Sequence, residues 1–376
     1  MNDLNKFIPI YEPFIEANES KFLQDCVKSG WISSKGKYID LFEKSFAEYL
    51  DSPFALSTSN GTVALHLALV SLGINKGDEI IVPNLTFAAS VNSIIYTGAT
   101  PVLVDCDLET LNIDIKQIEE KITSKTKAIM VVHLYGLPSF LAEIKLIADK
   151  FDLDIIEDAA ESFGSEFNNK KVGTFGRVGC FSFFGNKTIT TGEGGMITFK
   201  DEKDYNKARI LRDHGMNPNK TYWHDYIGFN YRMTNLQAAI GYAQILKADY
   251  IIKKKIEIAQ IYKKALKDIP GIEFVKEFDN IKNTYWLVTI IIDNHKFGFD
   301  RDYVKSFLKN CNVDSRPVFF PIHQMPPYEK YNIGKFPNSV YASNNGLSLP
   351  SSILLTRDQI ERICNCFIEI YNKKNN

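Results

Sequence analysis

Short apolar runs alternate with helical patterns between about residues 54 and 200. The apolar runs are rich in Val and Ile, which predicts buried strands, and the segments between them have the periodicity of helices. The predicted strands are Glu79–Val82, Pro101–Val104, Ala128–Val132, Asp154–Ile156, Cys180–Phe183 and Gly195–Phe199. This alternation predicts an α/β sheet with helices on both faces. Four of the runs end in polar or turn residues, where open α/β sheets usually place ligand-binding loops.

The pattern changes in the last third of the chain. A long helical stretch begins at Thr234 and continues through Ile258, and the turn signal Pro270-Gly271 follows it. A strand-like run at Tyr285–Ile292 and helical patterns at Arg301–Asn310 and from Thr356 to about Tyr371 come next. We therefore predict a large α/β domain at 1–250, including an N-terminal arm, and a small α+β domain at 251–376.

Composition narrows the class of partner. The 44 Lys and Arg against 45 Asp and Glu leave a formal net charge of −1, so no global charge favours nucleic acid or a membrane surface. Six scattered cysteines without zinc spacing predict reduced thiols and no metal site, as in a cytoplasmic protein. The polar, acidic start of the chain lacks the pattern of a secretory signal, and no apolar run is long enough to span a bilayer.

Two segments combine small or acidic residues with predicted element ends. Residues 57–62 (STSNGT) lead into a helical pattern, and a helix N-terminus can bind phosphate through free N–H groups, although a plain N-cap is the better explanation of this segment taken alone. Asp158 leaves a buried strand among small residues, and a buried carboxylate normally needs a cationic partner. A protonated pyridine nitrogen is one such partner, and capping of the next helix is the alternative.

Lys187 lies in the most informative stretch, residues 182–195 (SFFGNKTITTGEGG). It sits between a hydrophobic strand and a Gly/Thr-rich turn, where burial would lower the pKa of its amine and allow it to attack an aldehyde. Most lysines are solvent-exposed loop residues. That interpretation does not explain the flanking glycines, which allow a ligand to approach the backbone closely.

Taken with Asn60-Gly61-Thr62 and residues 228–239 (GFNYRMTNLQAA), the Asp158 and Lys187 segments resemble the DegT/DnrJ/EryC1/StrS sugar aminotransferases over nearly the whole chain. This family belongs to the fold type I pyridoxal phosphate (PLP) enzymes. The resemblance implies an aspartate aminotransferase-like fold, with a large mixed-sheet domain and a small C-terminal α+β domain. It also implies PLP as cofactor and L-glutamate, converted to 2-oxoglutarate, as amino donor.

The resemblance also assigns the chemistry to individual residues. Lys187 would hold PLP as a Schiff base and then act as a base, and Asp158 would pair with the pyridine nitrogen. Gly61, Thr62 and Ser182 would bind the phosphate.

Three further positions complete the implied cofactor site. Phe87 would stack on the ring, and Glu161, at a position that is Gln in many members, would meet the ring hydroxyl. Asn230 would reach the phosphate from the neighbouring subunit, which implies a homodimer with shared active sites.

The amino acceptor is predicted from two weaker similarities. Residues 183–188 (FFGNKT) resemble GDP-perosamine synthases of this family, which implies a nucleotide-linked keto-deoxy sugar of the GDP-4-keto-6-deoxyhexose type, for surface polysaccharide biosynthesis. Residues 316–323 (RPVFFPIH) resemble the stretch that borders the acceptor pocket, so Arg316 and His323 are candidate substrate ligands. An Arg that fastens a loop and a hydrogen-bonded core His are the structural alternatives, and a structural turn explains His214 equally well.

Three competing functions stay open at the sequence level. The acceptor could be a small phosphorylated ketone, because motifs that bind PLP do not specify the far end of the pocket. A related dehydratase would have His in place of Lys187. A non-catalytic regulator that kept the fold would be expected to lack Lys187 or Asp158, and both are present.

Overall fold

The computed structural model describes residues 6–374, which contain twelve α-helices and fourteen strands. The helices are α1 Ala17–Ser29, α2 Lys37–Leu50, α3 Gly61–Ser71, α4 Ala88–Tyr96, α5 Leu141–Phe151, α6 Glu202–Arg212, α7 Asn235–Ile245, α8 Ala248–Leu266, α9 Asn294–Phe297, α10 Arg301–Asn310, α11 Pro337–Asn345 and α12 Arg357–Lys373. The strands are β1 Phe54–Thr58, β2 Glu79–Pro83, β3 Thr100–Val104, β4 Thr126–Val132, β5 Asp154–Asp158, β6 Glu166–Phe167, β7 Lys170–Lys171, β8 Val178–Ser182, β9 Gly195–Phe199, β10 Ile272–Phe274, β11 Ile281–Lys282, β12 Val288–Ile292, β13 Arg316–Pro317 and β14 Gly346–Leu349.

A mixed seven-stranded sheet forms the centre of the molecule, in the order β1-β9-β8-β5-β4-β2-β3. The five neighbouring strands β8, β5, β4, β2 and β3 are parallel, and β9 runs antiparallel to both of its neighbours, β1 and β8. Along β4, Ile129 and Val131 pack into one hydrophobic cluster while Met130 packs into another on the opposite face. Both faces are therefore covered, which is why the strands read as continuous apolar runs in the sequence.

A second, antiparallel sheet has the order β10-β12-β14-β13 and packs against α8, α10 and α12. It lies within residues 272–349, whereas the seven-stranded sheet lies within residues 54–199. A small three-stranded sheet, β11-β6-β7, joins strands from both parts of the chain. This arrangement has the mixed sheet and the C-terminal α+β region that the sequence predicts. The division at residue 250 stays a prediction, and the first five residues of the predicted arm lie outside the described residues.

Several element bounds differ from the sequence prediction, and two of the differences have a clear structural cause. The long helix predicted from Thr234 is two helices, because Lys247 between α7 and α8 has a non-helical backbone. Its Nζ lies 2.7 Å from Glu19 of α1, which fixes this corner. The strand predicted from Tyr285 begins at Val288, because Tyr285 has a φ of 49°, in the left-handed region.

The N-terminal segment 7–12 connects distant parts of the fold. Ile8 pairs with Val313, and the carbonyl of Ile10 accepts a hydrogen bond from the Ser351 amide at 3.1 Å. The hydroxyl of Tyr11 donates to the carbonyl of Lys187 at 2.8 Å. The segment therefore links the C-terminal region to the loop that carries Lys187. Within residues 6–374, no helix is both long and apolar enough to cross a membrane.

Candidate active site

A cavity of about 690 Å³ opens at the C-terminal ends of β4, β5 and β8. Chain segments that are far apart in the sequence meet there, because the carboxyl ends of parallel strands share one edge of a sheet. Its lining includes seven residues that the sequence analysis selected, which are Gly61, Thr62, Phe87, Asp158, Glu161, Ser182 and Lys187. The structure therefore brings together most of the predicted cofactor site.

One end of the cavity is formed by the start of α3. Asn60 is the N-cap, and its side chain accepts a hydrogen bond from the Val63 amide at 3.0 Å. The N-cap and a helix N-terminus that faces the cavity are therefore both present at this position. A Cβ atom on Gly61 would lie 2.7 Å from the Cβ of Ser182. Glycine is required for this approach of α3 to the end of β8. The hydroxyls of Thr62 and Ser182 and the first amides of α3 consequently face one region suited to an anion.

Asp158 ends β5 on the cavity wall and is 5% exposed. Ser90 Oγ donates to its Oδ2 at 2.7 Å, and the Ala160 amide donates to its Oδ1 at 3.2 Å. Burial raises the pKa of this carboxyl despite those two hydrogen bonds. Within residues 6–374 it has no salt bridge, so this buried acid is suited to a cationic group supplied by a ligand.

Lys187 lies on a loop, residues 183–194, which we call the Lys187 loop. Its side chain is 12% exposed, and its Nζ lies 3.5 Å from Glu161 Oε1. Burial lowers the pKa of the amine, while the charges of Glu161 and Asp158 oppose that shift. A lowered pKa favours the unprotonated, nucleophilic form of an amine that faces a cavity.

Glu161 is buried between the amine and the backbone. Its Oε2 accepts a hydrogen bond from the Tyr135 amide at 2.9 Å. Burial raises the pKa of Glu161, as it does for Asp158. All three pKa shifts, including the opposite one of Lys187, have the same cause, because burial away from water disfavours the charged form of each group.

Aromatic side chains form another wall, and the sequence analysis identified only one of them. Phe87 is 57% exposed at the cavity edge and contacts Phe319, with ring centroids 5.7 Å apart. Phe319 stacks on Tyr135, which stacks on Trp286. Trp286 had no distinguishing signal, because it stands in an apolar run that reads as a buried strand. Its place beside Lys187 depends on a contact between residues 99 positions apart in the chain.

Three predicted site residues, and His214, do not line this cavity in the single chain. Asn230 is exposed, and its Oδ1 accepts a hydrogen bond from Arg232 at 2.8 Å. Arg316 has a side chain 62% exposed and pairs with Asp314 at 3.0 Å. His323 is half-buried, with Nδ1 2.9 Å from Asn84 Nδ2, and burial lowers its pKa. In this chain, Arg316 thus pairs within its own loop and His323 is hydrogen-bonded, as the structural alternatives expect. Their roles as substrate ligands stay predictions.

The cavity fits PLP by the chemistry of its walls. An amine, an anion cradle and a buried carboxylate without a salt bridge all face one cavity, as the aldehyde, phosphate and ring nitrogen of PLP would require. The side-chain oxygen of Asn186, also on the wall, is a buried acceptor without a hydrogen-bond partner in the described part of the chain. By contrast, residues 6–374 contain no group of three or more His, Cys, Asp or Glu side chains placed to hold a metal ion.

Comparisons with known proteins give the family and the fold of this chain. The model of the DegT/DnrJ/EryC1/StrS aminotransferase family matches residues 13–368. A GDP-perosamine synthase of Escherichia coli O157:H7 is 48% identical, over 98% of this chain and 100% of its own length, and one of Vibrio cholerae is 47% identical, over 97% and 99%. The PLP form of Spr1654 from Streptococcus pneumoniae superposes with a TM-score of 0.93 at 25% identity, over 98% of this chain and 100% of that one.

Proposed function

Since this chain belongs to the DegT/DnrJ/EryC1/StrS aminotransferase family, we propose that it transfers an amino group from L-glutamate to the ketone of a nucleotide-linked keto-deoxy sugar. The family, the fold, the enzyme class and the PLP cofactor that the sequence predicts are confirmed. The observation that carries the proposal is the convergence of Lys187, Asp158 and the start of α3 on one cavity.

We assign the cofactor contacts to the residues of that cavity. Lys187 Nζ would bind the aldehyde carbon covalently, and Asp158 would hold a proton at the pyridine nitrogen. The hydroxyls of Thr62 and Ser182, with the backbone of Gly61, would bind the phosphate. When bound, PLP withdraws electrons from the substrate carbon that loses or gains a proton.

Two more cavity residues would orient the cofactor. Phe87 would cover the ring with its apolar face, and Glu161 would meet the ring hydroxyl. Glu161 already lies 3.5 Å from Lys187 Nζ, so it can also hold the amine in place when it is free.

The free amine of Lys187 would then act as the base. Its Nζ would carry a proton to and from the reacting carbon of the substrate. Burial lowers the pKa of this amine, which favours the unprotonated form that a base requires. The same residues would serve both halves of the reaction, with 2-oxoglutarate leaving before the acceptor enters, which predicts ping-pong kinetics.

The acceptor assignment rests on the relatives. Two proteins that are 47% and 48% identical along nearly their full length are GDP-perosamine synthases, so a GDP-4-keto-6-deoxyhexose is the acceptor we assign. A role in surface polysaccharide biosynthesis in the cytoplasm follows from such an acceptor. Lys187 stands where a dehydratase would have His, which favours amino transfer over dehydration.

We also propose a homodimer with shared sites. Asn230 is exposed and lies away from its own cavity, so a second copy would have to bring it to a phosphate. Nearby on the same connection between α6 and α7, Ile227 is 95% exposed and Tyr222 is 87% exposed. Large exposed apolar side chains of this kind are typical of an interface.

The acceptor is tested by turnover with glutamate as donor. Purified protein would be assayed with GDP-4-keto-6-deoxyhexoses, other nucleotide-linked keto sugars and small keto phosphates, with Lys187→Ala as the blank. We expect the highest kcat/KM with a GDP-linked sugar. A higher value with a small keto phosphate would support that alternative class of acceptor instead, and no turnover with any ketone would contradict the aminotransferase proposal.

The shared site is tested by mixing two inactive variants, Lys187→Ala and Asn230→Ala. If Asn230 acts in the partner's site, each mixed dimer has one intact site, so random mixing would recover about a quarter of wild-type activity. No recovery after subunit exchange, shown independently with differently tagged chains, would contradict the shared site.

A further inference from the structure

We propose that Trp286 is a positioning residue that holds the free amine of Lys187 against its ring face and fixes the Lys187 loop through its indole N–H. This inference rests on the proposed role of Lys187. Nζ of Lys187 lies 3.6 Å from the centroid of the Trp286 ring. The indole Nε1 donates to the carbonyl of Asn186, the residue before Lys187, at 2.7 Å. One side chain thus contacts both the amine and its backbone.

The charges around the amine explain why a ring face matters there. Glu161 is the carboxylate in contact with Nζ, and Asp158 acts on it through space. Burial disfavours the ammonium form, and the negative face of an indole ring attracts a cation without introducing another titratable group. Trp286 therefore stabilises the protonated amine and holds it at one place on the cavity wall.

Trp286 is itself rigidly held, as a positioning residue must be. It is 5% exposed, and its ring stacks on Tyr135 at an interplanar angle of 13°. Its carbonyl accepts a hydrogen bond from Ser351 Oγ at 3.0 Å. A Cβ atom on Gly136 would lie 2.9 Å from the Trp286 amide, so the backbone of this region packs tightly against it.

The Lys187 loop is held from two sides by this arrangement. Trp286 binds the carbonyl of Asn186, and Tyr11 of the N-terminal segment binds the next carbonyl, that of Lys187. Of these two anchors, Trp286 is the one whose side chain also contacts the amine. Its removal is therefore expected to change the amine itself as well as the position of the loop.

The test uses cofactor-free protein, so that the amine is read directly. Reductive methylation by formaldehyde and cyanoborohydride would be followed on the Lys187 peptide by mass spectrometry as a function of pH. Trp286→Phe and Trp286→Leu both lose the N–H donor, but only Phe keeps a ring face. Since the ring stabilises the ammonium, we expect the midpoint pH for Leu to lie below that for Phe by at least about 0.5 unit.

Turnover gives the second measurement. We expect kcat of Trp286→Leu to fall on the order of 10-fold or more, with KM for glutamate changed less than about twofold, because a displaced amine affects the chemical step. Equal midpoints for Phe and Leu, or a midpoint that rises in Leu, would overturn the proposal. If Trp286→Leu does not fold, the midpoint pH of Trp286→Phe is compared with that of wild type. The proposal requires a lower midpoint in Trp286→Phe, and an unchanged midpoint would overturn the proposal.

Failure of this inference can be told from failure of the proposed function. Borohydride treatment of the wild-type protein with PLP should fix the cofactor to the Lys187 peptide. If it does not, the proposed role of Lys187 is wrong, whereas the methylation series still measures what Trp286 does to this amine.

Discussion

Two buried lysines in this molecule have very different surroundings. Lys187 faces the cavity, with Glu161 3.5 Å from its Nζ and the ring of Trp286 beside it. Lys255, on α8, is 1% exposed, donates to the carbonyl of Ser351 at 2.9 Å and lies over the ring of Tyr11. Burial lowers the pKa of both amines, and it lowers that of Lys255 to about 7.

The comparison indicates that a lowered pKa does not distinguish the two lysines, because burial lowers the pKa of both amines. The pKa of the Lys255 amine is low enough for a nucleophile, but the protein encloses its side chain, so an aldehyde cannot reach it. Lys187 combines a lowered pKa with an open cavity and with carboxylates that act on its charge. Tyr11 contacts both, since its ring lies 5.0 Å from Lys255 Nζ while its hydroxyl holds the Lys187 carbonyl.

The largest effect is expected from removal of the reactive amine. Lys187→Ala should lower kcat by at least about 10³-fold, because both the covalent link and the base are lost. Borohydride should then fix no PLP to the protein. Lys255→Met serves as the matched control and should still be labelled at Lys187. PLP fixed to Lys255 in wild type would break the comparison.

Asp158→Asn is expected to have the next largest effect. An amide cannot keep a proton at the ring nitrogen, so we expect kcat to fall roughly 10²-fold with cofactor still bound. Asp105 provides a matched control, because it is also buried after a strand but does not line the cavity, and its carboxylate accepts hydrogen bonds from the amides of Asn338 and Ser339. Asp105→Asn should reduce thermal stability and leave the absorbance of bound PLP unchanged. Near-normal kcat in Asp158→Asn would remove the acid from the mechanism.

Lys255→Met should change the pH dependence of stability. In the unfolded chain this amine stays protonated up to its ordinary pKa near 10.5, but in the folded protein it loses its proton above about pH 7. Between these values the unfolded state binds more protons, so wild-type stability rises with pH relative to the variant. From pH 7 to pH 9 we expect the wild-type free energy of unfolding to gain about 2 kcal/mol over the variant. Urea unfolding would measure these free energies. If the difference between wild type and variant were the same at pH 7 and pH 9, the pKa of Lys255 would not be lowered in the folded protein.

The smallest effect is expected from Tyr11→Phe, which keeps the ring over Lys255 and removes only the hydroxyl. The lost hydrogen bond to the Lys187 carbonyl should cost about 1 kcal/mol of stability and loosen the Lys187 loop, lowering kcat a few-fold. Tyr262→Phe is the control, because its hydroxyl donates to the Pro350 carbonyl at 3.0 Å, away from the cavity. We expect a similar loss of stability there without a change in kcat. Equal kcat values in the two variants would mean that Tyr11 does not position the loop.

The sequence by itself determined six of the seven strands of the central sheet, the family and seven of the residues that line the cavity. Continuous Val and Ile runs indicate strands buried on both faces, and polar residues where such runs end indicate one common edge. Asp158 is visible in this way, because it ends a strand, and Lys187 stands in the Gly/Thr-rich segment that follows another strand, whereas Ser182 is assigned through the resemblance to the family. These features are local, so a single sequence contains them.

Only the tertiary structure decided which distant side chains surround the amine. Trp286 and Tyr11 reach the Lys187 loop from the C-terminal region and from the N-terminal segment, and neither has a local pattern that distinguishes it from a core aromatic residue. The break at Lys247 likewise depends on its contact with Glu19, more than 200 residues earlier in the chain. Such contacts depend on how elements pack, and periodicity along the chain reports only which face of an element is buried.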